Sequence, residues 1–295
     1  METFPFKHLE ILDFLSSEHL AEILNTPEIK LPPAASDAAL LDNLINLGYK
    51  PIPFPGTTRN IDEYLTWHAN KGKHTNIETC EGIGMTLRLM ERKSQILIEL
   101  DEFFNSEEFL SCIANKFNLD RSATYPDNGL QKYLDGYEIS PHPDIRKKAL
   151  TYMLNVNPDP NSQLLSFHTH YMTFIDNKRY VQEYWRYNKQ ADRCWVPWDW
   201  CKTEKMQTAN NSLVMFEPAD DTLHAVKANY DHLSTQRTQY YGNLWYHESL
   251  TTEKPNWRDY VISATPERKS TMPIKDRILS LINKATTKGN DKGGY

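Results

Sequence analysis

Along the first 120 residues, apolar positions recur mostly at helical spacing. Residues 36–47 carry Ala39, Leu40, Ile45 and Leu47 in that pattern, and Gly48 follows as a stop. Ser16, Ser17 and Glu18 suit the cap of a helix running to about Asn25, after an extended stretch over 4–15. Residues 60–70 and 106–117 also predict helices, whereas 83–98 fits a helix and a strand equally. Leu31-Pro32-Pro33 and the proline-rich 51–58 are irregular. This region holds no recognisable chemistry, so the pattern predicts a helical cover for one face of a sheet, or the wall of a pocket.

From about Tyr133 the period shortens to that of strands. They are predicted over 133–139, 148–156, 164–174, 212–216 and 236–246. Turn signals separate them: Asn157-Pro158-Asp159-Pro160-Asn161, Glu217-Pro218-Ala219-Asp220-Asp221 and Asn229-Tyr230-Asp231. Short strands so spaced, without crossover helices, predict an antiparallel barrel or jelly roll. The Trp- and charge-rich 177–211 is a long insertion, of the kind that more often forms a lid or binding loop than a linker. A last helix is predicted over 274–285 and disorder over the tail 289–295. The expected class is α+β. One catalytic-sized domain would span 1–288, with a mainly helical cover (1–120), a jelly-roll core (130–250) and an extension (251–288).

Composition narrows the partners. A chain of 295 residues, 39% hydrophobic and 24% charged, can bury a sizeable core. Aromatics at 12% suit a lined small-molecule cavity, and equally an ordinary core. A net charge of -6 without a basic cluster argues against nucleic acid. The start, Met1 to Lys7, lacks a basic region followed by an apolar run, and no apolar run is long enough for a membrane span. Cys80, Cys112, Cys194 and Cys201 form no CxxC, and Cys194 and Cys201 are spaced too widely for a zinc knuckle. Free thiols in a reducing, cytoplasmic compartment are expected.

The candidate chemistry starts at His142-Pro143-Asp144. On extended backbone, residues i and i+2 project to one side, so this HxD can aim an imidazole and a carboxylate at one point. With a distant histidine, such a pair makes the 2-His-1-carboxylate set that holds non-haem Fe(II) with positions left open. The triplet alone is equally an ordinary turn beside a proline. His168-Thr169-His170 offers a second pair, but a cupin-like site built on it would want a nearby Glu, and none occurs through Asp176.

The sequence from Tyr133 to Tyr246 resembles the Fe(II)/2-oxoglutarate-dependent oxygenase superfamily, and within it the prolyl-4-hydroxylase-like branch. The HxD carries the resemblance, followed by an apolar strand ending in Phe216, a polar turn, then Leu223-His224-Ala225-Val226. Arg237 opens the last core strand, which continues through Gly242 to Trp245. The opening Phe4 to Leu9 also looks like the start of many members. The resemblance implies that His142, Asp144 and His224 ligate Fe(II), and that Arg237 pairs with the distal carboxylate of 2-oxoglutarate through two parallel charge-assisted hydrogen bonds. Arg237 follows His224 by thirteen residues, somewhat more than is usual, and a longer hairpin loop over 230–234 would absorb the difference.

Tyr133, Thr151 and Asn155 are the further candidates for the cosubstrate. Arg146 and Tyr137 are those for the substrate. The implied reaction consumes O2, releases succinate and CO2, and oxidises a C–H bond. Asp144 argues for hydroxylation, desaturation or oxidative ring closure, since halogenating relatives lack that carboxylate. The expected substrate is a small, amino-acid-derived metabolite, as for kainoid-type cyclases. The alternatives are a peptidyl hydroxylase and, further off, a jelly roll that binds without turnover.

Overall fold

A computed structural model describes residues 1–55, 57–70, 84–227, 233 and 236–248 of the chain. The N-terminal part comprises β1 (Leu9–Ile11), α1 (Ser17–Leu24), α2 (Asp37–Asn46), β2 (Tyr49–Pro51), α3 (Ile61–His68), β3 (Thr86–Leu89), α4 (Gln95–Asn105) and α5 (Glu107–Lys116). Polar caps set the helix starts. Ser16, Ser36 and Ser106 each accept the backbone N–H three residues on, and Asn60 accepts those of Asp62 and Glu63. Gly48 ends α2's turn at φ +98, and a Cβ there would meet the Glu91 carbonyl, so only glycine fits.

The strands of the core follow: β4 (Thr124–Tyr133), β5 (Ile139–His142), β6 (Lys148–Asn155) and β7 (Thr169–Phe174). Then come α6 (Tyr180–Tyr187), β8 (Cys201–Met206), β9 (Leu213–Phe216), β10 (His224–Val226) and β11 (Arg237–Tyr246). They form two antiparallel sheets, in the orders β1-β9-β6-β11-β4-β3-β2 and β5-β10-β7-β8. From β4 onward the chain passes back and forth between the sheets, so that HxD and distal histidine fall on one sheet and Arg237 on the other.

Alternation along β11 divides the large sheet's faces. Tyr240 and Leu244 point outward into the main core with Leu130, Leu150, Tyr152 and Leu154, under the helices. Phe104 of α4 stacks on Tyr240 with ring centres 4.2 Å apart, which fixes the helical layer to β11. The opposite face holds Met153, Val214, Phe216 and Tyr241, against Phe6 and Tyr171.

The mainly helical N-terminal part also carries β1, β2 and β3, which extend the large sheet at both edges. Three expectations need correction. The strand expected over 133–139 is instead a connection. Leu134 to Tyr137 forms a turn with Gly136 at φ +78, closed by Tyr137 N–H donating to Leu134 O at 3.1 Å. The strand expected from 164 begins only at Thr169. The insertion over 177–211 contains α6 and β8, the latter an edge strand of the small sheet. The helix expected over 274–285, the extension from 251 and the tail 289–295 lie outside the described residues. No helix among the described residues is long and apolar enough to cross a membrane.

Candidate metal and cosubstrate site

His142 ends β5 and His224 opens β10, and the two are direct partners in the antiparallel register. Their ring centres are 4.4 Å apart. Each Nδ1 lies against the backbone carbonyl two residues earlier: His142 on Ser140 O at 2.8 Å, His224 on Thr222 O at 2.9 Å. A carbonyl only accepts, so both rings carry their proton on Nδ1 and present an Nε2 lone pair. That is the outer support metal-binding histidines ordinarily have.

Asp144 lies two residues past β5. Its Oδ1 is 4.0 Å from His142 Nε2 and its Oδ2 3.9 Å from His224 Nε2. The three ligand atoms lie within 4.8 Å of one another, close enough for one ion to touch all three. Lys148 Nζ donates to Oδ1 and the Thr151 hydroxyl to Oδ2, both at 2.6 Å, which fixes the carboxylate plane. Burial works to raise the Asp144 carboxyl, but the Lys148 ammonium, through its charge and its hydrogen bond, outweighs it and holds it below the usual carboxylate range. Burial, then the neighbouring His224, pushes His142 down to about 3, and burial lowers His224 as well. The site is thus two neutral imidazoles and one carboxylate, the donor set and protonation state that a divalent ion needs.

Arg237 begins β11 at the other end of the same cavity, 3% exposed. Its Nη2 donates to Thr169 Oγ1 at 2.9 Å and to Gln239 Oε1 at 3.1 Å. Its Nη1 is buried without a hydrogen-bond partner, and no described carboxylate neutralises it. Burial draws its affinity for a proton down. A buried cation with an idle donor is costly unless a ligand completes it, and a planar fork of this kind matches a carboxylate.

Tyr133 pairs with Arg237 in the β4–β11 register, and its ring lies 4.5 Å from the guanidinium carbon. Gln131 is best oriented with its Nε2 donating to the Tyr133 hydroxyl at 2.9 Å and its Oε1 accepting from Arg88 Nη2 at 2.9 Å. The opposite orientation sets amide nitrogen against guanidinium. The Tyr133 O–H is then left to donate into the cavity beside Arg237.

The cavity between the sheets measures about 270 Å³. The inward residues of β11, Arg237, Gln239, Tyr241, Asn243 and Trp245, all line it, with His142, Asp144 and His224 across from them. Phe54, Tyr137, Ile145 and Trp195 add apolar wall. Tyr137 therefore borders the cavity with Tyr133 and Arg237. Thr151 instead serves Asp144. Asn155 accepts from Gln239 Nε2 at 2.7 Å and donates to the carbonyls of Gln207 and Ala209, so it steadies the glutamine that holds Arg237. Arg146 is spent on Asp220 and on the carbonyls of Trp185 and Ala191, and does not line the cavity.

Sequence reading missed Lys148, Thr169 and Gln239. The last had a legible signal, since it stands two residues after Arg237 on one strand. His168 and His170 do not converge: His168 bonds Ser162 O at 2.8 Å and His170 bonds Thr203 Oγ1 at 2.9 Å. Cys194 lines the cavity, where burial pushes its thiol up to about 12.

No family model matches the sequence, and no curated protein is similar to it at the level of sequence. Solved structures of prolyl hydroxylases and 2OG-Fe(II) oxygenases are similar to it in fold. A prolyl-4-hydroxylase of Pseudomonas putida is 10% identical, with 83% of this chain and 95% of that one covered, at a TM-score of 0.41. The prolyl hydroxylase of Trichoplax adhaerens, solved with a fragment of the hypoxia inducible factor oxygen degradation domain, is 14% identical over 81% of this chain and 82% of that one, at 0.40. EvdO2 of Micromonospora carbonacea, solved with 2-oxoglutarate, is 11% identical over 76% and 97%, at 0.32. At this distance they transfer neither a substrate nor a residue's role to the chain.

Proposed function

We propose that the chain is an Fe(II)- and 2-oxoglutarate-dependent oxygenase, built on a double-stranded β-helix and acting on a small, amino-acid-derived molecule. One observation carries the reading. A buried arginine with an idle Nη1 shares a cavity with two histidines locked to present Nε2 and a carboxylate between them. A module that only bound a partner would have no use for that combination. The strand orders of the two sheets support the barrel, since four core strands fall in each.

Bound Fe(II) would supply the O2 chemistry that couples decarboxylation of 2-oxoglutarate to oxidation of a C–H bond. The chain supplies the rest. His142, Asp144 and His224 hold the ion. Arg237 and the Tyr133 hydroxyl take the distal carboxylate of 2-oxoglutarate, with Gln239 and Thr169 fixing the guanidinium. Phe54, Tyr137 and Trp195 exclude water. A cavity of about 270 Å³ with Phe54, Tyr137 and Trp195 in its wall suits a compact reacting group.

The test is anaerobic. Fe(II) and 2-oxoglutarate added to the purified protein should give a weak visible charge-transfer band. Admission of O2 should then give succinate, stimulated by amino-acid-derived metabolites more than by proline peptides. Absence of the band from folded, iron-loaded protein overturns the function. A preference for the peptides moves the substrate to the peptidyl class.

A further inference from the structure

Lys148 opens β6 with its side chain 11% exposed. Its Nζ donates to Asp144 Oδ1 at 2.6 Å and to the Tyr241 hydroxyl at 2.9 Å. It lies 5.6 Å from the centre of the Tyr241 ring and 5.4 Å from that of Trp245. Among the described residues Asp144 is its only acidic partner. Asp127, the other acid lining the cavity, is already taken by Arg88 Nη1 at 2.6 Å.

On the proposed function, on which this inference rests, that single partner must also serve a divalent ion. An ion on Asp144 would carry twice the carboxylate's charge with the opposite sign, so carboxylate and ion together would present the ammonium with net positive charge. Lys148 would be left without a net counter-charge, in a cavity where an unpaired cation is costly. The Tyr241 and Trp245 rings give the ammonium a place inside the cavity that all three residues line. An anion is what completes the arrangement, and the cavity has room for a carboxylate.

We infer that Lys148 is a carboxylate-binding residue that becomes available once the metal is in place, gripping an acid group held against the metal. Two sources share that chemistry: the metal-side carboxylate of 2-oxoglutarate, and an acid group of the primary substrate. The second would make the substrate class small organic acids, amino acids included.

The experiment compares the wild-type chain with Lys148→Met and Lys148→Arg. Co(II) affinity comes first, by visible absorption. The charge-transfer band of the anaerobic Fe(II) protein then reports 2-oxoglutarate affinity. Its perturbation reports binding of three acid–amide pairs: glutamate and glutamine, proline and prolinamide, phenylalanine and phenylalaninamide. Lys148→Met should bind Co(II) at least as tightly as wild type, because a like charge has gone. It should lose about ten-fold or more in 2-oxoglutarate affinity, if the cosubstrate is the source, or in preference for acid over amide, if the substrate is. Lys148→Arg should keep that property, and near-ultraviolet circular dichroism checks that both variants fold. A ten-fold loss of Co(II) affinity in Lys148→Met would make the lysine a strut for Asp144 and overturn the inference. So would 2-oxoglutarate affinity and acid preference that both stay within about two-fold of wild type. Those results leave the oxygenase reading standing, whereas a wild-type protein without the band overturns both.

Discussion

The guanidinium of Arg237 lies face-on to the ring of Tyr133, its carbon 4.5 Å from the ring centre, and the two residues are paired in the β4–β11 register. The stack restrains the guanidinium, whose Nη1 is buried without a hydrogen-bond partner among the described residues. On the proposed function, the cation that would take the distal carboxylate is held in place before any ligand arrives.

Replacing this arginine should separate binding from folding. Arg237→Met removes a buried charge that has no acidic partner among the described residues, so the ligand-free variant should melt within a few degrees of wild type. Its 2-oxoglutarate affinity should fall by about 2 kcal/mol or more, roughly thirty-fold. Thermal shift with Co(II), with and without 2-oxoglutarate, measures both. A large loss of ligand-free stability with affinity retained would make Arg237 a structural residue.

The hydroxyl of Thr151 should matter to metal affinity. Thr151→Val keeps the shape of the side chain and removes the donor to Asp144 Oδ2. Losing such an outer-shell contact typically costs roughly 10–100-fold in metal affinity. Co(II) titration should show a loss in that range, with Thr151→Ser close to wild type. Equal affinities in all three would mean that this hydroxyl does not orient Asp144 for the metal.

Acid should unfold the metal-free protein through its histidines. His142 sits near 3 when folded, against 6.5 in the unfolded chain, so between those values the unfolded state binds the extra proton. Stability is thus complete above about pH 6.5 and falls as pH drops towards 3, by about 1.4 kcal/mol per pH unit for this group. His224, lowered in the same direction, adds to the slope. Urea midpoints at pH 7, 6 and 5 should decline for wild type and flatten for His142→Gln. Identical slopes for the two would place the acid sensitivity elsewhere.

Gly242 offers a test of the sheet beneath the site. A Cβ there would lie 2.2 Å from the Tyr152 ring, within a face that also stacks on Phe104. Gly242→Ala should cost about 1–3 kcal/mol, seen as a lower melting temperature. An unchanged melting temperature would mean that Tyr152 moves freely, contrary to its burial.

Much of the arrangement was legible because its logic is local. An HxD beside a strand needs only period two, and Ser16, Ser36 and Asn60 announce their helices by side-chain chemistry. β6, β9 and β11 were legible as apolar runs. β4 was not, since Pro126, Asp127, Asn128 and Gly129 are residue types that favour turns over strands. They form strand because β11 pairs with every one of them, while β3 covers only Gln131 to Tyr133 on the other side. The first half of β4 is thus an edge there, where a proline is tolerated. β8 was hidden for a related reason, since an edge strand half in solvent carries Lys202, Glu204 and Lys205 instead of an apolar run. Lys148 escaped because nothing local marks it. Its role comes from Asp144, Tyr241 and Trp245, which the fold alone brings to it.

The ladder along β11 has a consequence for how such a protein could diversify. Its inward positions run from Arg237 and Gln239, which the proposed function assigns to the cosubstrate, to Asn243 and Trp245, and His142 and His224 sit on the other sheet. On that function, replacements at the Trp245 end would alter the cavity wall without touching Arg237 or Gln239. Insertion or deletion of one residue between the two ends would be another matter. It would turn Tyr240 and Leu244 into the cavity and the polar ladder into the helical layer, so this strand admits changes of side chain and not of length.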